Sequence, residues 1–576
     1  MSELNNSVDD ASSRSSSNED ISAESNGIER RAQREFKEEM VKDMAIDKMR
    51  EKMDTIVQKL EKDVERKLDL LVDDLVGEVK LFNLKNYELR QLFRDSSSAS
   101  LHRSPEESKA RDRKSDRKRR TDGKLPDKVF TARNSLLTDL FEVKHIKTIY
   151  HIFLVILIIM FLNTVVHDFV DRGSINLGFR PIVAGFGNFY ITMALWSCMQ
   201  LSVLCVYPCF CAWAHIRKMF KRNEHRKLWD LCSVVEVILF QCLFVTLVVK
   251  TVLHLDLPPA SSVAVLMEMT RFVMKVHAFV RSNIPRALAS STKSSTEDKP
   301  PHTVTVPSFI KFLYFLFAPT LVYRDEYPRT KRIRWSVVFR HMLEVGGVIF
   351  YIGFIFERFL NPLFEQFGGA EISSGKFVLA LFSSIMPASL SFLCGFYCLL
   401  HAWLNASSEL LRFADRMFYR DWWNASSFAE YIRSWNLVVH DWLYTYIYKD
   451  SVEHVFKNCN ALATVLVFTV SAVFHEVILA FAFRFFYPVM FVQFEFMGLL
   501  LMFLTRNLSK DAGNVLLWFM LCIGNGIQMS LYNIEYYARR NCPVSGESVV
   551  DYMIPVSWSC HGISHNPNWT FSAVEY

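Results

Sequence analysis

The sequence predicts an all-α protein that crosses a membrane several times. Three observations support this class: 51% of the 576 residues are hydrophobic, the mean hydropathy is +0.13 although the first quarter of the chain is highly charged, and the chain beyond Lys144 is a series of long apolar segments. Each segment has about the twenty residues that a helix needs to cross a bilayer. We therefore expect an all-α polytopic membrane protein with about nine transmembrane helices and a cytosolic N-terminal helical segment.

The N-terminal part is polar and divides into three segments. Residues 1–27 are rich in Ser, Asn, Asp and Glu, a composition typical of a disordered tail. Over residues 28–94 apolar side chains recur at spacings of three and four, which places them on one face of a helix. This face indicates either homo-oligomerisation or a helix lying on the membrane or on the protein itself. Residues 95–130 include RDRKSDRKRR and are predicted to be a basic linker.

The membrane-embedded domain is predicted to cover residues 131–540. Lys and Arg concentrate before the first span, between the second and third, and after the fourth, whereas the connection HLDLPPASS between the third and fourth has neither. Because cytosolic loops carry the excess of Lys and Arg, this pattern predicts a cytosolic N-terminus and a luminal C-terminal tail at 541–576. The expected spans are 149–166, 189–213, 229–253, 260–280, 336–360, 377–401, 461–483, 488–505 and 513–533.

The charge and the cysteines exclude two other kinds of partner. The net charge is +6, but the basic residues flank apolar runs, which favours membrane topology over nucleic acid binding. The 12 cysteines show no metal-ligand spacing, and we predict no metal site. Cys542 and Cys560 lie in the predicted luminal tail, where oxidation permits a disulfide; two free thiols are the alternative. The sequon at Asn568 lies in the same tail.

His475 is the first candidate for chemistry. It lies in the apolar segment ALATVLVFTVSAVFHEVILAFAF, about 20 Å from the end where the helix begins. Burial at that depth keeps an imidazole neutral and able to accept a proton. Ser471 lies one turn earlier on the same face, whereas Glu476 points about 100° away. The alternative is a structural histidine held by a contact between helices.

Two further features precede His475. Asn436 has an uncharged amide that can hold a hydroxyl or an oxyanion, although Asn after Trp also occurs as a structural cap. The segment FYRDWWN comprises Phe418, Tyr419, Arg420, Asp421, Trp422, Trp423 and Asn424. We expect this segment to be the scaffold of an entrance, with Asp421 and Arg420 forming a salt bridge, rather than to take part in catalysis.

Three motifs together resemble the membrane-bound O-acyltransferases, in their sterol O-acyltransferase branch. They are FYRDWWN at 418–424, SWNLVVHDWLY at 434–444 and SAVFHE at 471–476. The resemblance covers roughly residue 125 to the end. It implies a membrane-bound O-acyltransferase fold in the endoplasmic reticulum membrane. It also implies transfer of a fatty acyl group from acyl-CoA to the 3-hydroxyl of a sterol, with no bound cofactor.

The resemblance also implies roles for single residues. His475 matches the general base and Asn436 its companion, Trp435 and His440 match supporting residues, and Arg433, Tyr448 and Ser471 match the acyl-CoA path. Expected partners are the two substrates, membrane lipid and a second or further copies of the chain, as a homodimer or homotetramer. Acyl transfer to diacylglycerol is an alternative, because that branch has similar motifs. A transporter or receptor, with His475 as a proton relay, is an alternative of another class.

Overall fold

The computed structural model describes residues 48, 49, 52, 53, 55, 125–173, 179–292, 306–369, 374–457, 459–542 and 552–558. The chain divides into two compact units, Met1–Lys118 and Arg119–Tyr576. The five described residues of the first unit are helical. The predictions for most of 28–94 and for residues 1–27, as well as those for Cys560 and Asn568, lie outside the described residues.

The described part of the second unit consists of helices and the loops that connect them, and its contacts of β type are isolated bridges such as that between Arg133 and Asp415. This confirms the predicted all-α class. Its α-helices are α1 (Leu136–Leu140), α2 (Lys144–Arg172), α3 (Arg180–Gly185), α4 (Phe189–Leu204), α5 (Val206–Met219), α6 (Asn223–His254), α7 (Pro259–Thr292), α8 (Phe309–Phe317), α9 (Trp335–Ile355), α10 (Asn361–Phe364), α11 (Ser374–Phe396), α12 (Leu404–Leu410), α13 (Phe428–Trp435), α14 (Leu437–Trp442), α15 (Asn460–Phe483), α16 (Val489–Phe491), α17 (Gly498–Leu504) and α18 (Lys510–Asn541).

Several of these helices continue into wider π-helical turns. Such turns insert an extra residue, re-aim the side chains around them and often occur at functional sites. The π segments are π1 (Phe356–Leu360), π2 (Tyr397–Trp403), π3 (Leu443–Tyr448), π4 (Ser451–Val455) and π5 (Val492–Met497).

Seven helices of the described chain are long and apolar enough to cross a membrane, judged by length and composition. They coincide with seven of the nine predicted spans. The other two predicted spans, 260–280 and 336–360, also fall on helices, α7 and α9, which are not among the seven. The seven are Lys144–Asp171, Phe189–Met219, Asn223–His254, Ser374–Leu410, Asn460–Phe483, Val489–Asn507 and Lys510–Asn541.

Helix α7 is a central element of the core. Val265, Met269, Phe272, Val276 and Phe279 are at most 3% exposed. Their alternating spacing of four and three residues places them on one face of the helix, and this face packs in the largest apolar cluster. Helix α7 contacts α4, α6 and α15. The core of the unit therefore forms around the helix that lies beside the one carrying His475.

Helices α11 and α18 approach each other closely through small residues. The Ser384 and Ser530 hydroxyls are 2.7 Å apart, and both side chains are fully buried. A Cβ atom on Gly526 would lie 3.0 Å from the Cα of Ile385, so only glycine allows this approach. Small residues at such crossings let membrane helices pack backbone to backbone.

The segment before α1 packs against the motif region of the same unit. Arg133 forms an ion pair with Asp415 at 2.7 Å, and the Arg133 N–H donates to the carbonyl of Ala414. Residues 125–130, which the sequence assigned to the linker, are described and partly buried. This strip of chain thus joins the body before the first apolar helix begins.

Candidate active site

His475 lies in the second half of α15 with one of its ring nitrogens occupied. Its Nδ1 is 2.7 Å from the backbone carbonyl of Ser471. Because a carbonyl can only accept, Nδ1 carries the proton, and Nε2 keeps a lone pair. The ring stacks on Phe494 of π5, with centroids 4.5 Å apart at 27°. The histidine is therefore held in one tautomer and orientation with Nε2 able to accept a proton.

Glu476 points away from this histidine, as its position on the helix predicts. Its carboxylate accepts hydrogen bonds from the Phe491 N–H at 3.0 Å and the Tyr532 hydroxyl at 3.2 Å. It joins α15 to α16 and α18 and is 4% exposed. Its contacts are those of a structural group between helices.

Asn436 is the N-cap of α14. Its side-chain oxygen accepts from the Val439 N–H at 3.2 Å. The cap takes the oxygen, and within the described residues the side-chain NH₂ makes no hydrogen bond. Asn436 thus acts as the helix cap that the sequence analysis gave as an alternative. Its NH₂ group remains available as a hydrogen-bond donor.

Behind the cap, His440, Tyr444 and Tyr448 form a ladder of stacked rings at intervals of four residues along α14 and π3. The successive centroids are 6.4 and 5.7 Å apart, with the planes 9° and 18° from parallel. The ring of Trp435 lies elsewhere, stacked on Phe392 at 4.7 Å and 7°. The three rings of the ladder therefore form one continuous aromatic wall along α14 and π3.

Asp441 is held by a lysine from the start of the unit. Lys128 Nζ is 2.6 Å from the Asp441 carboxylate, and His440 Nδ1 is 3.8 Å away. Burial by itself raises the pKa of this carboxyl, but Lys128 and His440 outweigh burial and hold the pKa of Asp441 below its usual value. Because 3.8 Å is too long for a hydrogen bond, we regard Lys128 as the stronger partner.

The other face of this segment is fixed to α7. Trp442 donates its indole N–H to the Met274 carbonyl at 2.9 Å, and the Tyr446 hydroxyl is 2.8 Å from that of Ser282. Arg281 makes two hydrogen bonds to Asp450, at 2.7 and 2.9 Å. The aromatic wall is therefore backed by α7, one face of which is buried in the core.

Three aromatic residues of FYRDWWN are buried: Phe418, Tyr419 and Trp422 are at most 2% exposed. The backbone of the segment pairs with the corner between α13 and α14, because the Arg420 N–H donates to the Ser434 carbonyl and the Phe418 carbonyl accepts from the Leu437 N–H, both at 2.8 Å. The motif thus fixes the corner that carries Asn436.

The same motif is tied to α18. The amide of Asn514 donates to the carbonyls of Trp423 and Ala425, both at 2.9 Å, and the Trp518 indole donates to that of Trp423 at 3.1 Å. These bonds satisfy backbone carbonyls at the short 3₁₀ turn Trp422–Asn424. They connect the corner to the last membrane helix.

The polar residues of the motif behave differently from the prediction. Arg420, Asp421 and Asn424 are exposed, and the expected salt bridge between Arg420 and Asp421 is not formed in the described part of the chain. Each of these polar side chains points out of a tight backbone turn whose buried positions the aromatic residues occupy. Arg433 is likewise exposed, near the end of α13.

The structure thus brings some predicted residues together and leaves others apart. His475 contacts Ser471 through the backbone carbonyl, Trp435 packs on Trp422 at 4.7 Å, and His440 lines up with Tyr448 through Tyr444. No hydrogen bond joins Asn436 to His475 within the described residues. Helix α15 packs against π3, which follows α14.

Sequence reasoning missed Lys128, Arg281 and Asn514, which hold the site from a distance. Arg281 could be recognised as a charge without an acidic residue nearby in the sequence, whereas Lys128 directly follows Asp127 and gives no such signal. Asn514 gives no such signal, because its partners are backbone carbonyls.

Comparison with known proteins identifies the family. The membrane-bound O-acyltransferase (MBOAT) family profile matches residues 182–534. Sterol O-acyltransferase 1 of Mus musculus is 42% identical over 436 residues, covering 75% of this chain and 79% of the relative. The same protein of Chlorocebus aethiops is 43% identical over 436 residues, with 75% and 78% covered. Sterol O-acyltransferase 2 of Homo sapiens is 39% identical over 439 residues, with 75% and 80% covered. The chain belongs to the membrane-bound O-acyltransferase family.

Proposed function

We infer that this protein transfers a long-chain fatty acyl group from acyl-CoA to the 3-hydroxyl of a sterol such as cholesterol, forming a steryl ester. The similarity to sterol O-acyltransferases over three quarters of the chain supports the substrate class. The observation that carries the chemistry is the hydrogen bond from His475 Nδ1 to the Ser471 carbonyl, since it leaves Nε2 free to act as a base.

In the proposed reaction His475 Nε2 accepts the proton of the sterol hydroxyl as its oxygen attacks the thioester carbonyl. A C–O bond forms and the C–S bond breaks, and the proton passes to the departing thiolate to give CoA. The thioester supplies the activation, so acyl-CoA is the co-substrate and no bound cofactor takes part. A base inside an apolar helix also limits competing hydrolysis by water.

Asn436 supplies the donor in this scheme. Its oxygen is fixed by the Val439 N–H, which orients the NH₂ group of the same amide. A fixed donor stabilises the oxygen on which charge develops without reorganising during the reaction. In this proposal Trp435 and His440 support the centre, and Arg433, Tyr448 and Ser471 line the acyl-CoA path. The exposed side chain of Arg433 is suited to the anionic CoA end.

The experiment that tests this function is an acceptor competition. Purified protein receives labelled oleoyl-CoA with cholesterol and diacylglycerol together, and His475→Ala serves as the background control. Labelled steryl ester is the expected product. Triacylglycerol as the main product would transfer the proposal to the diacylglycerol branch, and no ester of either kind would favour the transporter or receptor alternative.

The proposed setting is the endoplasmic reticulum membrane, with a cytosolic N-terminus, a luminal tail at 541–576 and a homodimer or homotetramer as the assembly. The charge distribution along the sequence supports the orientation.

In this orientation Cys542 and Cys560 form a luminal disulfide. Alkylation of the non-reduced protein followed by mass spectrometry tests this bond, and two alkylated thiols in the luminal tail would refute it. Cross-linking in membranes tests the assembly, where a monomer alone would contradict it.

A further inference from the structure

Away from the candidate active site, α9 and π2 bring together His341, Glu344 and His401. One potential ligand atom from each lies within 4.8 Å of the others. We propose that these three side chains bind a zinc ion that stabilises the fold. The acyl transfer itself uses no metal, so this site stands apart from the proposed function.

The donor set fits zinc. His341 and Glu344 are three residues apart on α9 and share one face, with His341 Nδ1 2.8 Å from the Glu344 carboxylate. The ring of His401 lies edge-on to that of His341, with centroids 5.5 Å apart. Two imidazoles and one carboxylate are an established ligand set of open zinc sites, in which water takes the fourth position. Such a site stabilises the fold here by joining α9 to π2. Zinc binding would replace the hydrogen bond between His341 and Glu344, with the His341 proton moving to its other ring nitrogen.

The second ring nitrogen of His401 has a supporting partner. Nδ1 is 2.7 Å from the Tyr419 hydroxyl, which is 2.8 Å from the hydroxyl of Ser135. This leaves Nε2 as the nitrogen that can face a metal ion. Histidines that bind metals commonly use their other nitrogen in such a hydrogen bond, which fixes the ring and its tautomer.

The partners of the Glu344 carboxylate are His341 and the hydroxyl of Tyr397, and neither carries a permanent positive charge. Glu344 forms no ion pair with a lysine or arginine of the described residues, and its side chain is 22% exposed. His341 and His401 are 5% and 2% exposed. A carboxylate in such surroundings requires a positive partner, which is either a proton on His341 or a metal ion. A proton on His341 would create an ion pair that involves only His341 and Glu344. A zinc ion would be bound by His341, Glu344 and His401 together.

The elements that carry the ligands are held in place independently. Arg334, directly before α9, forms an ion pair with Glu409 of α12 at 2.9 Å, and its backbone N–H donates to the same carboxylate at 2.8 Å. Arg416 adds a third contact to Glu409 at 2.5 Å. Ligands on elements already fixed to each other lose little entropy when they bind an ion.

The test is a zinc titration of full-length protein purified without a polyhistidine tag and stripped by a chelator. Bound zinc is measured by mass spectrometry of the metal and by competition with a zinc-binding dye. We expect one tightly bound zinc per chain in the wild type, and its loss in Glu344→Gln and His341→Gln. His151→Gln, at an exposed position on α2, is the matched control and should retain the ion. Tyr419→Phe should lower zinc affinity about 10- to 100-fold.

Thermal unfolding gives a second measurement. Zinc should raise the midpoint of the wild type and leave that of Glu344→Gln unchanged, because a ligand stabilises the state that binds it. If Glu344→Gln does not fold, Co²⁺ replaces zinc in the wild type, where visible d–d bands report a site with nitrogen and oxygen ligands. Equal zinc content in the wild type and Glu344→Gln, or no stoichiometric binding by the wild type, would show that the cluster is an ion pair between His341 and Glu344.

Discussion

The surroundings of His475 and the segment from Phe418 to Tyr448 hold their residues in opposite ways. His475 has one hydrogen bond, to the Ser471 carbonyl, and one stacked ring, Phe494. The segment has buried aromatic residues, paired backbone groups and ion pairs that reach α7, α18 and Lys128. The first arrangement leaves a ring nitrogen available, whereas the second uses many of its buried rings and backbone groups for support. The proposed base and the segment that surrounds Asn436 can therefore be tested by separate substitutions.

The largest effect on activity is expected at His475. His475→Ala removes the proposed base, and we expect turnover to fall about 10²- to 10⁴-fold. The thermal midpoint should fall only modestly, because one hydrogen bond and one stacked ring are lost. Steryl ester formation from labelled oleoyl-CoA measures the rate. Ser471→Ala is the matched control: it keeps the backbone carbonyl that binds Nδ1, so kcat should persist and only the KM for acyl-CoA should move. Substantial turnover by His475→Ala would overturn the base assignment.

Substitution of Trp422 is expected to lower stability more than substitution of His475 does. It is 1% exposed and contacts Trp435 at 4.7 Å and Trp518 at 5.5 Å. Trp422→Ala should therefore lower the free energy of unfolding by about 3–5 kcal/mol, measured by thermal or denaturant unfolding in detergent. Trp335→Ala, at a 66% exposed position, is the control and should change stability little. Comparable losses in the two variants would contradict the view of the motif as a buried scaffold.

Asn436 belongs to both regions, and two substitutions separate its roles. Serine can still cap α14 but has no amide, whereas alanine loses both functions. We expect both variants to lose about 10²- to 10³-fold in kcat, while only Asn436→Ala loses about 1 kcal/mol of stability. Kinetics and thermal unfolding of the two variants provide the comparison. If Asn436→Ser keeps full activity, the residue is a cap alone.

The sequence predicted the helices well because their signal is local. Hydrophobic runs gave seven of the spans, and the position of Glu476 on α15 correctly excluded it as a partner of His475. The predicted salt bridge between Arg420 and Asp421 was wrong: both side chains lie exposed just before the 3₁₀ turn Trp422–Asn424, where water solvates each charge. The cluster of His341, Glu344 and His401 was not predicted from the sequence, since His401 is distant in sequence from the other two and π2 re-aims it.

The smallest effect is expected at the edge of the scaffold, where Lys128 binds Asp441. Both side chains are about one-fifth exposed, so Lys128→Met should cost about 1–3 kcal/mol, mainly by leaving a partly buried carboxylate without its partner. The pKa of Asp441 is below its usual value in the folded protein, so the pair contributes fully above the unfolded pKa of about 4. The contribution is lost as the pH falls through the folded value. The difference in unfolding free energy between wild type and Lys128→Met should therefore be constant near neutral pH and shrink in acid.

Lys147→Met, at an exposed position on α2, is the control. A difference that did not change with pH would mean that Lys128 contributes through the packing of its chain rather than through its charge.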